Sequence, residues 1–336
     1  TEHSIDVLEY PGNIHVFQFM KMLGESLSKR TIGVGMTTNI IGRFNDVLIS
    51  EMPALDTELV GKSLTQAGIR QMTGVNVIGI MEEGKFIGST PHAVITSKSI
   101  LMLAGSAEQL ADFDKLYTVD NLQKNDEVQV VILGGGRVGH AAAETLAKHG
   151  IKYRIVEKRV IKTEGPDKDN FIVGDAADIN TLSAAGIGSA KSVIVTTHSD
   201  EMNIYLTFYC RQLRSDLQII SRSILERNVS KLHMAGADLV MSYASLGAAT
   251  IYQIIQPDGI SLFSEGLTVI SITAGTQFGG KTIMESTIRE RTGCSVVAVK
   301  RDEKMIINPP PDLELETIDE LIIIGAVENE KLILSL

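Results

Sequence analysis

Residues 130–139 read Val-Val-Ile-Leu-Gly-Gly-Gly-Arg-Val-Gly, and the helix-forming run Ala141-Ala142-Ala143-Glu144-Thr145-Leu146-Ala147 follows directly. An apolar strand thus passes through Gly-x-Gly-x-x-Gly into a helix. Gly134 permits the tight turn, Gly136 lets the backbone approach a pyrophosphate, and Gly139 lets the helix pack close to the strand. The helix N-terminus offers free N–H groups and the positive end of its dipole to phosphates. Arg137 and Val138 lie inside the turn, with Arg137 placed to reach phosphate oxygens. The motif begins at residue 134, so something long and different precedes the nucleotide-type unit.

On either side of this turn the chain alternates apolar strands and helices, the pattern of a doubly wound parallel α/β sheet. Strands are expected at 128–133, 153–156, 171–173, 192–195, 217–220 and 238–241. Ligands of such sheets sit at the carboxyl ends of the strands. Glu157 closes the second strand, where a carboxylate accepts hydrogen bonds from ribose hydroxyls and repels a 2′-phosphate. That favours NAD or an adenosine nucleotide over NADP, although Lys158 and Arg159 blur the preference. Gly174-Asp175-Ala176 closes the third strand. Asp175 either contacts the adenine or ribose, or caps the helix expected at 179–185. Thr196 and Thr197 end the fourth strand within reach of the crevice. The polar run Thr197-His198-Ser199-Asp200-Glu201-Met202-Asn203 opens a helix, so capping accounts for Ser199 and Asp200.

An internal repeat brackets this unit. Residues 51–112 and 270–332 agree at unlike residue types: Gly61-Lys62 with Gly280-Lys281, Ile69-Arg70 with Ile288-Arg289, and Thr73-Gly74 with Thr292-Gly293. Val77 matches Val296, Pro91 matches Pro310, and after one added residue Gly105 matches Gly325. Such self-similarity marks a duplicated structural unit. Each copy is expected to hold a helix (63–71; 282–291) ended by Thr-Gly, then a strand, a charged turn, a short strand, a Pro turn and an apolar last strand. A unit of this size has little core of its own and is expected to dock or dimerise. Leu23-Gly24 echoes Leu246-Gly247, so residues 1–45 read as the helical tail of a preceding nucleotide-type unit.

Composition narrows the function. The 336 residues are 44% hydrophobic and 21% charged, an ordinary globular mixture, and their formal charge of −10 argues against nucleic-acid binding. Cys210 and Cys294 form neither a disulfide framework nor a zinc spacing and are expected to be buried thiols. No apolar run reaches the length of a membrane helix. The Tyr residues include no Tyr-x-x-x-Lys pair, and among the His residues only His198 lies near the expected crevice. A nicotinamide-dependent oxidoreductase, the rival from another class, therefore lacks a proton-transfer group. A purely structural protein with a vestigial nucleotide fold is a third possibility.

The Gly134–Gly139 turn, Glu157, Gly174-Asp175-Ala176-Ala177, Asp200-Glu201-Met202-Asn203 and Ala235-Gly236-Ala237-Asp238 together resemble the RCK/KTN (TrkA) family of regulators of potassium channels and transporters. The flanking repeats resemble that family's C-terminal subdomain. The resemblance implies a helical tail and linker over 1–45, a TrkA-C-like domain over 46–118, a Rossmann-like TrkA-N domain with crossover helix over 119–260, and a second TrkA-C-like domain over 261–336. It implies a non-enzymatic gating module on the cytoplasmic face of the membrane, binding NAD(H), ADP or ATP. Its expected partners are a potassium channel pore or transporter membrane subunit, and copies of itself in dimers forming a tetramer- or octamer-like ring. Some relatives hold calcium on carboxylates after the fifth strand. Here Ser221-Arg222-Ser223-Ile224 stands there, and Arg222 suits a phosphate better.

Overall fold

The computed structural model describes residues 16–31, 38–55, 57–82, 84–117, 128–159, 169–255, 261–262, 267–302 and 304–336. Among the described residues, helix α1 (Phe19–Lys29) comes first, followed by β1 (Asn39–Phe44), β2 (Val47–Pro53), β3 (Asn76–Glu82), β4 (Lys85–Gly88), β5 (Ile100–Gly105) and helix α2 (Ala107–Tyr117). The central unit comprises β6 (Val130–Leu133), α3 (Arg137–Lys148), β7 (Tyr153–Glu157), β8 (Phe171–Val173), α4 (Ile179–Ala184), β9 (Ser192–Val195), α5 (Asp200–Leu213), β10 (Gln218–Ser223), α6 (Val229–Met234), β11 (Leu239–Ser242) and α7 (Tyr243–Ile255). The C-terminal unit holds β12 (Ser261–Leu262), β13 (Leu267–Thr273), β14 (Ser295–Arg301), β15 (Lys304–Ile307) and β16 (Glu320–Ala326), and the short helix Glu330–Leu334 follows. Among the described residues, no helix is long and apolar enough to cross a membrane.

The central sheet runs β11-β10-β9-β6-β7-β8 with every pairing parallel. In its own strand numbering this is the order 6-5-4-1-2-3 of a doubly wound dinucleotide fold. All six strands lie where the sequence pattern places them, within a residue or three at their ends. Their legibility follows from burial: Val130, Val131, Ile132 and Leu133 are wholly buried, and strands covered on both faces read as unbroken apolar runs.

The duplication is visible in detail. The sheet orders β2-β5-β3-β4 and β13-β16-β14-β15 are the same, all antiparallel. Both copies carry a register shift at matching positions, Val77/Gly79 and Val296/Ala298, and matching isolated bridges, Ser63 to Val94 and Thr282 to Glu314. The single helix expected over 63–71 is two short helices, Leu64–Ala67 and Ile69–Thr73, broken where Gly68 turns left-handed at φ 59°. The second copy breaks at the equivalent Thr287, φ 51°, before the helix Ile288–Thr292.

Each small sheet has one face covered by its own helices. The other faces share one apolar cluster containing Ile49, Ile78, Met102 and Ala104 of the first copy and Val297, Ala298, Ile322 and Ile324 of the second. The copies therefore dock on each other, as units too small for a core of their own must. The contact is reciprocal. Arg70 donates to the carbonyl oxygens of Pro309 (2.7 Å) and Asn308 (3.2 Å). Arg289, the equivalent of Arg70, donates to the carbonyl and hydroxyl of Ser89, the equivalent of Asn308.

Helix α1 lies beside α3. Gly24 makes the approach possible: a Cβ there would meet the Ala141 methyl at 2.7 Å and the Ala142 nitrogen at 2.9 Å. Ser28 Oγ reaches the Ala142 carbonyl at 3.1 Å, Gln218 Nε2 donates to the Arg30 carbonyl at 3.1 Å, and Leu23 and Leu27 are wholly buried. Burying each leucine contributes about 1.5–3 kcal/mol. Below α1, a cavity of about 120 Å³ at the junction of the first copy with β11 is walled by the buried Arg30–Glu51 ion pair and by His233. The hairpin β1–β2 spans residues 45–46 and joins the first small sheet, with β12 on its outer edge. Residues 1–15 and the stretches around 118–119 and 256–260, where unit boundaries are expected, lie outside the described residues. Cys210 and Cys294 are buried and unpaired with each other.

Candidate functional site

The glycine turn begins where β6 ends. Gly134 adopts φ 113°, a conformation that side chains resist, and Thr196 Oγ1 donates to its carbonyl at 3.0 Å. A Cβ on Gly139 would collide with that same carbonyl, so glycine there sets how closely α3 meets the strand. Helix α3 starts from Gly136 with no side-chain cap and no acid in its first turn. Its first N–H groups thus face the crevice unclaimed by a side chain, the arrangement that attracts an anion. Val138 is buried beneath α1, leaving only its backbone for the turn, whereas Arg137 is exposed.

Glu157 reaches back from the end of β7 and accepts the Gly135 N–H at 2.7 Å and the Arg159 N–H at 3.1 Å. Asp175 accepts the Ala177 N–H at 3.0 Å and the Lys158 ammonium at 2.9 Å. These two bonds, the backbone one first, hold its carboxyl below the usual range. The cap of α4 is Asp178, which accepts from Asn180 N–H, so Asp175 stays at the crevice lip and does not cap the helix. Ala176 sits beside it, partly buried.

The floor is a tied network. Asn203 Oδ1 accepts from Thr197 N (2.9 Å) and Thr197 Oγ1 (2.7 Å), while Asn203 Nδ2 donates to the Arg222 carbonyl at 3.2 Å. Ser199 caps α5 as expected, accepting from Met202 N. Asp200, buried, instead accepts from Ile224 N (2.8 Å), Leu225 N (3.0 Å) and Asn228 Nδ2 (2.9 Å) and so fixes the loop after β10. Arg222 is 4% exposed. Its Nε donates to the Thr197 carbonyl at 2.8 Å, as does Nη2, and its Nη1 to the Tyr243 hydroxyl at 2.9 Å, with the guanidinium 5.7 Å from the Tyr243 ring centroid. Arg222 thus links the crevice floor to the first residue of α7.

Glycine turn, Glu157, Asp175, Thr196 and Thr197 converge on one end of the sheet. Two further contributors line the cleft: His198, the one histidine expected near the crevice, and the start of α1, which sequence reading missed. The His198 ring stands over Gly136, where an added Cβ would lie 3.1 Å from it. The segment Phe17–Lys21 at the start of α1 faces the turn across an open cleft of about 990 Å³. The echo of Leu246-Gly247 in Leu23-Gly24 marks α1 as a helix, but nothing in it says that α1 docks on α3.

These features define a nucleotide-binding-type α/β unit between two copies of a small docking domain. Residues 130–243 match the TrkA-N domain, and residues 49–118 and 267–336 each match the TrkA-C domain. The chain belongs to the RCK (TrkA-N/TrkA-C) family. It is 28% identical over 239 residues to probable potassium channel protein 2 of Methanocaldococcus jannaschii, covering 66% of this chain and 70% of that protein. It matches the GsuK RCK domain at 32% identity and TM-score 0.59, over 100% of this chain and 74% of that one. It also matches the NAD-bound GsuK channel at 33% identity and TM-score 0.59, over 100% of this chain and 60% of that one. The chain thus spans 60% to 74% of the length of these relatives.

Proposed function

We propose that this chain is a ligand-sensing gating module that binds an adenine nucleotide, NAD(H) or ADP, and regulates potassium flux through a membrane pore. The observation that carries this reading is the glycine turn itself: an uncapped helix N-terminus behind Gly134–Gly139, with the Glu157 carboxylate 2.7 Å from Gly135 N. In that position Glu157 takes the ribose hydroxyls, and the α3 N–H groups with Arg137 take the phosphates. Asp175, Lys158 and Ala176 border the adenosine; Thr196 and Thr197 form the floor. Family membership supports a regulatory role over catalysis, and the NAD-bound relative supports the ligand class. A ligand shifts a domain equilibrium only by its difference in affinity for the two arrangements. Arg222 is suited to carry that difference, since it ties the Thr197 carbonyl to Tyr243 at the start of α7.

Calorimetry of the purified chain with NAD, NADH and ADP tests the site. Gly136→Asp is expected to abolish binding by placing a carboxylate among the phosphate donors, and Glu157→Ala to weaken it about tenfold. Unchanged affinity in both variants sinks the assignment. In the full assembly, the same variants are expected to remove nucleotide control of potassium flux.

A further inference from the structure

We propose that the cleft between the start of α1 and the start of α3 receives the second half of a dinucleotide, with Phe17 as the stacking surface for its ring. The inference rests on the glycine turn being a nucleotide site, and it narrows the ligand from any adenine nucleotide to a dinucleotide such as NAD(H).

Phosphates seated on α3 direct the adenosine toward Glu157 and Asp175 on one side. Whatever is esterified to the second phosphate leaves on the other side, past His198. There the structure offers an open cleft of about 990 Å³, with Gly135, Gly136 and Arg137 on one wall and Phe17 and Phe19 on the other. That volume lies at the upper end of small-ligand sites, about 300–1,000 Å³, and a mononucleotide occupying the adenosine side would leave it unfilled.

The aromatic wall suits a flat ring. Phe17 and Phe19 stack with centroids 6.0 Å apart and planes at 27°, and both are partly exposed. Phe19 has a structural task, since its ring edge lies 3.8 Å from where a Cβ on Gly247 would be and so fills the gap between α1 and α7. Phe17, the other ring of the pair, lines the cleft from the segment ahead of the helix. Stacking of a base on such a ring is sequence-tolerant and strong enough to change affinity by about tenfold. The α1 segment is far from the turn in the chain, so a ligand spanning both would hold α1 against the nucleotide unit.

ADP-ribose separates this inference from the nucleotide reading, because it has every part of NAD except the nicotinamide. In the purified chain, NAD is expected to bind more tightly than ADP-ribose or ADP. Phe17→Ala should weaken NAD about tenfold and leave ADP-ribose and ADP unchanged, and Phe17→Tyr should restore NAD affinity. Phe17→Leu, which keeps apolar bulk without the ring, guards against a folding defect and should behave like Phe17→Ala. If the Phe17 variants leave NAD affinity intact, or weaken all three ligands equally, the stacking site is wrong while the glycine-turn site stands. If the unaltered chain binds none of the three, both fall together.

Discussion

Single atoms decide how α1 is seated. Gly24 faces the Val138–Ala142 turn of α3 so closely that a methyl group would already sit 2.7 Å from the Ala141 methyl. One turn further on, Ser28 Oγ donates to the Ala142 carbonyl at 3.1 Å, so the two helices are tied together at this approach. Gly24→Val is therefore expected to cost about 1–3 kcal/mol through overpacking, read as a lower melting temperature and faster hydrogen exchange in α1. A melting temperature equal to that of the unaltered chain would show that α1 does not need this approach. The carboxylates tell a different story at the same scale. Asp175 and Asp200 look alike in sequence, each beside a strand end and a helix start. Asp200 is turned inward onto backbone N–H groups of the loop after β10, whereas Asp175 stays at the surface with Lys158. Which way such a group turns is set by where its neighbours' unpaired N–H groups lie, and that is tertiary information.

At the scale of elements, the parallel strands were legible because burial fills their centres mainly with Val, Ile and Leu, and the glycine turn because each glycine has its own steric reason. The repeat was legible from paired Gly and Arg positions. The breaks at Gly68 and Thr287 were not, since a left-handed residue inside an otherwise helical run leaves no periodic mark, and Thr there runs against its own preference. Helix α2 went unread although Ser106 and Gln109 form a reciprocal capping box, with Ser106 N to Gln109 Oε1 at 2.9 Å and Gln109 N to Ser106 Oγ at 3.2 Å. The junction of α6 with the first copy carries a pH prediction. The turn at Gly84 lies on the His233 ring, whose Nδ1 is 3.0 Å from the Ala237 carbonyl. Burial lowers the pKa of this imidazole below its ordinary 6.5, with the Ala237 bond and Asp238 opposing. The unfolded chain therefore takes up the proton first as pH falls. Its contribution to stability is complete above about pH 6.5 and is lost as pH drops from there toward the folded value. Urea midpoints measured from about pH 7.5 to about 5.5 should fall more steeply for the unaltered chain than for His233→Asn. Parallel curves would dismiss His233 as the titrating group.

For the whole molecule, the docked copies matter most. Their shared apolar faces bring the first and second small sheets together, and the arginine contacts set their register. A hydrogen bond of this kind contributes about 1 kcal/mol net. Arg70→Ala and Arg289→Ala are each expected to lower the melting temperature modestly, and the double variant to raise hydrogen exchange in β3 and β16 together. If exchange rises in neither strand, the arginines are bystanders to an interface held by apolar contact alone.

That the pair belongs to one polypeptide has a genetic consequence. In a pair made of two identical chains, every substitution appears on both sides of the axis and must be tolerated twice. Here each side can drift by itself, and it has: Asn308 sends its amide to Gly74, Ala104 and Gln109, while its counterpart Ser89 receives the guanidinium of Arg289. One half is free to become the anchor and the other the variable part, an asymmetry that selection can act on only when the two halves are inherited as separate codons.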